Sequence, residues 1–128
     1  MLAALKNIYY PKDRLEVHFG FTDRGDNQSA LALTRLKGLL ANAEIPFPTY
    51  IHMTNPCKEE IDRWGPYCAV ISNCHRLRAE FLDGDCEYWW ILGGDNPPGS
   101  GTLRRLMDLN VDCCAALIHQ RPNRGREW

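Results

Sequence analysis

No two of the six cysteines (Cys57, Cys68, Cys74, Cys86, Cys113, Cys114) are spaced as Cys-x-x-Cys, so the chain lacks the pairing on which most zinc and dithiol motifs rest. Adjacent Cys113 and Cys114 would point to opposite faces of any strand, and buried free thiols are the expected state. Excess charge is also missing: fifteen Lys and Arg stand against sixteen Asp and Glu, a formal net charge of −1. Bulk attraction to nucleic acid or to an anionic membrane is thereby excluded, and only the basic tail 121–128 keeps a local patch. No apolar run approaches the roughly 20 residues that span a bilayer, and no charged-then-apolar leader precedes a small-residue cleavage site. The expectation is a reduced, cytoplasmic protein without a membrane span. Internal repeats and low-complexity segments are absent as well.

What is present is enough for one domain over residues 1–128, with 1–12 as an N-terminal extension and 121–128 as a loosely held tail. A chain of 128 residues can bury a core without disulfides, although it is short for an enzyme with two substrates. Residues 14–21 alternate, with Leu15, Val17, Phe19 and Phe21 on one side, and run into the turn-rich residues 22–27; this predicts a strand and a loop. From 27 to 43, Leu31, Leu33, Leu36, Leu39 and Leu40 recur at helical spacing behind an Asp26 or Asn27 cap, which predicts a helix. A second strand is expected at 47–53 and a short helix at 58–64. A longer helix follows at 67–82, carrying Val70, Ile71, Cys74, Leu77, Phe81 and Leu82 and stopped by Asp83-Gly84-Asp85.

The apolar run 87–92 reads as a central strand, because it is too apolar to face water on either side. A loop at 93–101, a helix at 102–109 and a last strand at 111–119 complete the pattern. Strands separated by helices argue for an α/β fold, a three-layer sandwich with a largely parallel sheet, and ligands collect at the carboxyl ends of such strands. Asp95 and Asn96 stand at one such end, on a turn where Gly93 and Gly94 let a bulky ligand approach. They offer the hard oxygens that Mg²⁺ or Mn²⁺ prefers, and substrate phosphates commonly complete the coordination. The alternative is that Asp95 only caps the turn before Pro97-Pro98.

The stretch from His75 through Glu87-Tyr-Trp-Trp-Ile-Leu-Gly-Gly-Asp-Asn-Pro-Pro-Gly-Ser-Gly-Thr-Leu-Arg-Arg-Leu-Met107 resembles the core of GT-A type glycosyltransferases, especially the small viral and microbial versions. There a helix ending in a Gly/Asp turn leads to a strand, an Asp-x-Asp motif, a proline and a Thr-Leu-x-x-Leu helix. The resemblance covers about a third of the chain, and it implies a Rossmann-like, nucleotide-binding half of the GT-A fold. It further implies a divalent cation, Mn²⁺ or Mg²⁺, that clamps the diphosphate of a nucleotide sugar while the sugar passes to an unknown acceptor. The second motif aspartate falls on Asp95, the first on Gly93 and the middle position on Gly94. A site with one carboxylate in place of two binds a cation more weakly unless Asn96 or another acid compensates.

The resemblance also places the nucleoside at the end of the first strand. Thr22 and Asp23 would hydrogen-bond base or ribose and Arg24 would meet a phosphate, against the plainer reading of a polar loop. Asn73 or His75 would take the polar role that the family gives to the helix before the central strand, against a solvated helix face. His119 stands at the end of the last expected strand as a ligand or base, against a structural histidine. Trp89 and Trp90 read as core on opposite faces, whereas Trp64 and Trp128 are freer to stack on a sugar or base. Arg24-Gly25-Asp26 matches an integrin-recognition triplet and is read as coincidence. A catalytically inactive binding or assembly module, including a homo-oligomer, is the alternative to a glycosyltransferase.

Overall fold

A computed structural model describes residues 2–93 and 97–112. In chain order it consists of α1 (Leu2–Lys6), β1 (Val17–Thr22), α2 (Asn27–Asn42), β2 (Thr49–Thr54), α3 (Lys58–Trp64), α4 (Cys68–Asp83) and α5 (Thr102–Asp108), with short 3₁₀ turns at Lys12–Arg14 and Gly65–Tyr67. The expected strand at 14–21 and the expected helices at 27–43, 58–64, 67–82 and 102–109 are present within a few residues of their bounds. Asp26 is the N-cap of α2, its carboxylate accepting from the Ser29 backbone N–H at 2.6 Å. Glu60 closes a capping box at the start of α3 by accepting from the Cys57 backbone N–H at 2.8 Å.

β1 and β2 form a two-stranded parallel sheet in the register Val17↔Thr49 to Thr22↔Thr54. Alternation along a strand then sends even-numbered residues of both strands to one face and odd-numbered residues to the other. The even face lies under α4. The approach is close because Gly20 has no side chain: a Cβ there would sit 2.9 Å from Asn73 Cβ and 3.2 Å from Leu77 Cδ1. The odd face, through Val17 and Phe19, meets the core cluster of Leu5, Ile8, Phe47 and Leu103, with Met107 of α5 against it.

Residues 1–12 therefore carry more than an extension. Leu5 and Ile8 are among the most buried side chains described, at 4% and 5% exposure. Alternation marks the first strand, but nothing in the short apolar segment Leu2-Ala-Ala-Leu5 distinguishes a docked helix turn from a frayed end. Tyr9 N–H donates to the Ser100 carbonyl at 2.7 Å, and Arg104 lies over the Tyr9 ring at 5.9 Å, which ties this segment to α5.

The central strand expected at 87–92 is not a strand. No ladder partner exists for it among the described residues, and its side chains are sorted by side rather than buried on both. Trp90 and Leu92 pack against the core cluster while Tyr88 and Ile91 are exposed. Trp89 leaves the core and stacks on Phe81 of α4 at 5.9 Å. An apolar run reports the wish to lose water, and here packing against the cluster meets it without a hydrogen-bonded neighbour. The last expected strand, 111–119, lies almost wholly outside the described residues, and Val111 and Asp112 are not in a strand.

The architecture is mixed α/β with a two-stranded parallel sheet and, among the described residues, five α-helices. No described helix is long and apolar enough to cross a membrane. Cys57, Cys68, Cys74 and Cys86 are all free, as expected, but only Cys68 is buried and Cys57 is exposed.

Candidate functional site

Parallel, in-register pairing brings the carboxyl ends of β1 and β2 together at Thr22 and Thr54, and α4 lays Asn73 across them. The three side chains close on one another. Asn73 Nδ2 donates to Thr22 Oγ1 at 3.1 Å, Thr54 Oγ1 donates to Asn73 Oδ1 at 2.6 Å, and the two hydroxyls are 3.2 Å apart. Each threonine has one hydrogen to give. With the Thr54 hydrogen on Asn73, that of Thr22 goes to Thr54 Oγ1 or to the Ala69 carbonyl at 3.5 Å. Thr22 and Asn73, two of the expected nucleoside contacts, therefore hold the strand ends and α4 together.

The loop after β1 is ordered by its own hydrogen bonds. Asp23 N–H extends the ladder to the Thr54 carbonyl at 2.8 Å, and an Asp23 carboxylate oxygen accepts from Gly25 N–H at 2.8 Å. Gly25 takes a φ of +69°, which its lack of a Cβ permits. Arg24 N–H donates to the buried Ser29 hydroxyl at 3.3 Å, and the Arg24 side chain makes no ion pair among the described residues. Hydrogen bonding from the Ser29 backbone, and then from its hydroxyl, holds the Asp26 carboxyl below its ordinary value.

Beside this edge lies a cleft of about 210 Å³ lined by Thr54, Asn55, Pro56, Glu60, Ser72 and His75. Its position is the carboxyl end of a parallel strand, where α/β proteins hold ligands. Ser72 belongs to this lining, and its hydroxyl oxygen is closed to solvent and without a hydrogen-bond partner among the described residues. Such a group costs free energy unless a ligand or an ordered water meets it. His75 stands at the mouth with its ring edge-on to Trp64, centroids 5.6 Å apart, and Arg63 lies over the same indole at 5.8 Å. The volume suits a phosphate or a pentose, part of a nucleotide rather than all of one.

Of the expected site residues, His75 lines this cleft, Asn73 and Thr22 hydrogen-bond to Thr54 of its lining, and Asp23 and Arg24 belong to the adjoining loop. Asp95, Asn96 and His119 lie outside the described residues. Among the described residues no group of three or more His, Cys, Asp or Glu is placed to hold a metal ion. Sequence reading missed Asn55, Glu60 and Ser72. The strand-end rule applied to β2, as it was to β1, would have found Asn55.

A second polar cluster lies at the opposite end of the even face. His18 Nδ1 and His52 Nε2 are 2.8 Å apart, and His18 Nε2 is 2.9 Å from Glu16 Oε1. His52 Nδ1 faces Glu80 at 3.5 Å, and Glu80 is paired with Arg76 at 2.5 Å. Cys86 donates its thiol to Glu16 at 3.2 Å; that carboxylate raises the Cys86 pKa to about 11, and the same bond, with His18, lowers Glu16. Burial pushes the His52 pKa down from the ordinary imidazole value.

No protein-family model, no curated protein and no solved structure matches the chain.

Proposed function

We propose that the chain is a glycosyltransferase-like domain that takes the nucleoside or phosphate portion of a nucleotide-diphosphate sugar at the carboxyl edge of its parallel sheet. The observation that carries this reading is the cleft beside Thr54, with Ser72 in its lining, the hydroxyl without a partner among the described residues, and His75 at its mouth. Ser72 Oγ is shut off from solvent, so a ligand oxygen meets it only when the side chain turns toward the cleft, and the hydrogen bond then made would remove an uncompensated desolvation cost. Trp64 beside His75 supplies an aromatic edge for a base or sugar, and Arg24 supplies a cation for a phosphate. A Rossmann-like three-layer arrangement extended beyond the two described strands belongs to the same reading. The resemblance assigns the divalent cation, Mn²⁺ or Mg²⁺, to Asp95, and in the same reading Asn96 and His119 supply further ligands. Among the described residues no further cluster of ligands is placed to hold it.

Calorimetry of the full chain with a panel of nucleotide sugars, with and without Mn²⁺, tests the reading. Saturable heat is expected, with about two- to tenfold weaker binding in Ser72→Ala, the loss of about 0.5–1.5 kcal/mol that one hydrogen bond carries. Asp95→Ala should weaken only the Mn²⁺-dependent part. No heat with any donor, or heat indifferent to both substitutions, would overturn it.

A second reading, a binding or assembly module without catalysis, is favoured by α2. Leu31 and Leu39 are 52% and 59% exposed and line an apolar surface groove with Ala32 and Leu36. Sedimentation showing self-association that Leu39→Asp abolishes, without nucleotide binding, would favour it over the first.

A further inference from the structure

The even face of the sheet continues from the Thr22–Thr54–Asn73 brace to the His18–His52 pair, all of it beneath α4. The two imidazole rings are 4° from parallel with centroids 4.9 Å apart. A nitrogen–nitrogen distance of 2.8 Å is too short for stacked faces, so the contact is edge to edge with one hydrogen between the nitrogens.

Counting hydrogens decides what the pair can hold. Two neutral imidazoles carry two: one on His18 Nε2, donated to Glu16, and one between the rings. A third fits on His52 Nδ1, which faces Glu80. A fourth cannot be placed without directing two N–H groups at each other across 2.8 Å.

We propose that His18 and His52 form an acid-sensitive latch beneath α4, which keeps its closed form with no added proton or one and is forced open by a second. The groups that face it come from every neighbouring segment. Glu16 precedes β1, and Tyr50 of β2 tilts over the His18 ring at 4.8 Å. Glu80 and Arg76 come from α4, and Cys86, beside Asp85, follows it. Glu80 attracts a proton to His52, whereas His18 and Arg76 repel it.

The first added proton goes to His52 Nδ1, and burial lowers the His52 pKa below 6.5, so the stability that this neutral imidazole contributes is present above 6.5 and is lost as pH falls through the lowered value. The second proton, which opens the latch, enters an already charged pair and so binds at lower pH still. The thiol of Cys86, and then His18, hold the Glu16 carboxyl below its ordinary range, which favours the ionised acceptor that the closed form uses. His52, only 11% exposed, has to leave its place between the sheet and α4, and the Glu80–Arg76 pair moves with it. Because α4 also carries Ser72, Asn73 and His75, acid would disturb the cleft; that consequence rests on the proposed function, whereas the latch does not.

Imidazole titration by NMR on the full chain, followed together with amide exchange in α4, tests the latch. His18 and His52 should titrate as a pair in two steps separated by at least about tenfold in proton affinity, with a tenfold or greater rise in exchange over 76–83 at the lower step. In His18→Gln the side-chain amide can turn to accept or donate, so His52 should titrate in one step and the rise in exchange below pH 6.5 should disappear. Two independent, superimposed titrations in the wild-type chain would overturn the proposal, as would a His18→Gln variant with the wild-type exchange response. Nucleotide binding is not read in either arm, so failure of the latch and failure of the donor site are separable.

Discussion

At the residue scale, the weight falls on polar side chains that finish each other's hydrogen bonds. Asn73 accepts from Thr54 and donates to Thr22, so truncating it leaves two part-buried hydroxyls to find other partners. Asn73→Ala should lower the unfolding free energy by about 1–3 kcal/mol in a urea titration, the cost of unmet polar groups rather than of one hydrogen bond. The sequence pointed to Asn73, Thr22 and His75 as polar residues near a ligand, and the structure brings them to one edge. It separates their tasks, however. Thr22 and Asn73 are engaged with each other, and His75 lines the cleft. That division depends on a 3.1 Å contact between side chains 51 residues apart, which no local pattern encodes.

At the element scale, α4 is held against the sheet by contacts that begin with the missing side chain at Gly20. A methyl group there meets Asn73 Cβ at 2.9 Å, and both partners are fixed by backbone. Gly20→Ala should therefore lift α4 and destabilise the fold by about 1–3 kcal/mol, as overpacking does, with the loss visible as a lower urea midpoint at unchanged helix content. Helix and strand existence was largely legible from period: Leu31, Leu33, Leu36 and Leu40 at helical spacing, Val17, Phe19 and Phe21 in alternation. Residues 87–92 were misread because burial and strand pairing leave the same apolar signature. Trp90 and Leu92 satisfy it by lying on the core, and Tyr88 and Ile91 do not satisfy it at all.

For the molecule as a whole, the core is small and its members are far apart in the chain: Leu5, Ile8, Phe47 and Leu103 meet on the odd face of the sheet. Leu5→Ala should cost about 2–5 kcal/mol, the range for emptying a packed leucine site, and reduce the melting temperature sharply. Leu82→Ala, at an exposed position, should change it by no more than about 0.5 kcal/mol. A thermal scan of the two variants side by side checks both. The contrast is informative because the sequence ranks the two leucines the other way, with Leu82 inside a periodic helix and Leu5 in what reads as an extension.

Local chemistry by itself determined the helices after α1 and the first strand, since Asp26 before α2, Glu60 in α3 and the alternation of β1 act over a few residues. It also placed polar groups at strand ends. Only the tertiary structure decided which of those groups face each other, because the parallel register of β1 and β2 puts their even residues on the face toward α4 and their odd residues on the face where Val17 and Phe19 meet the core. Register sets Thr22 beside Thr54 and puts His18 and His52 on the same face, within hydrogen-bonding reach. It is a relation between strands, and neither strand contains it alone.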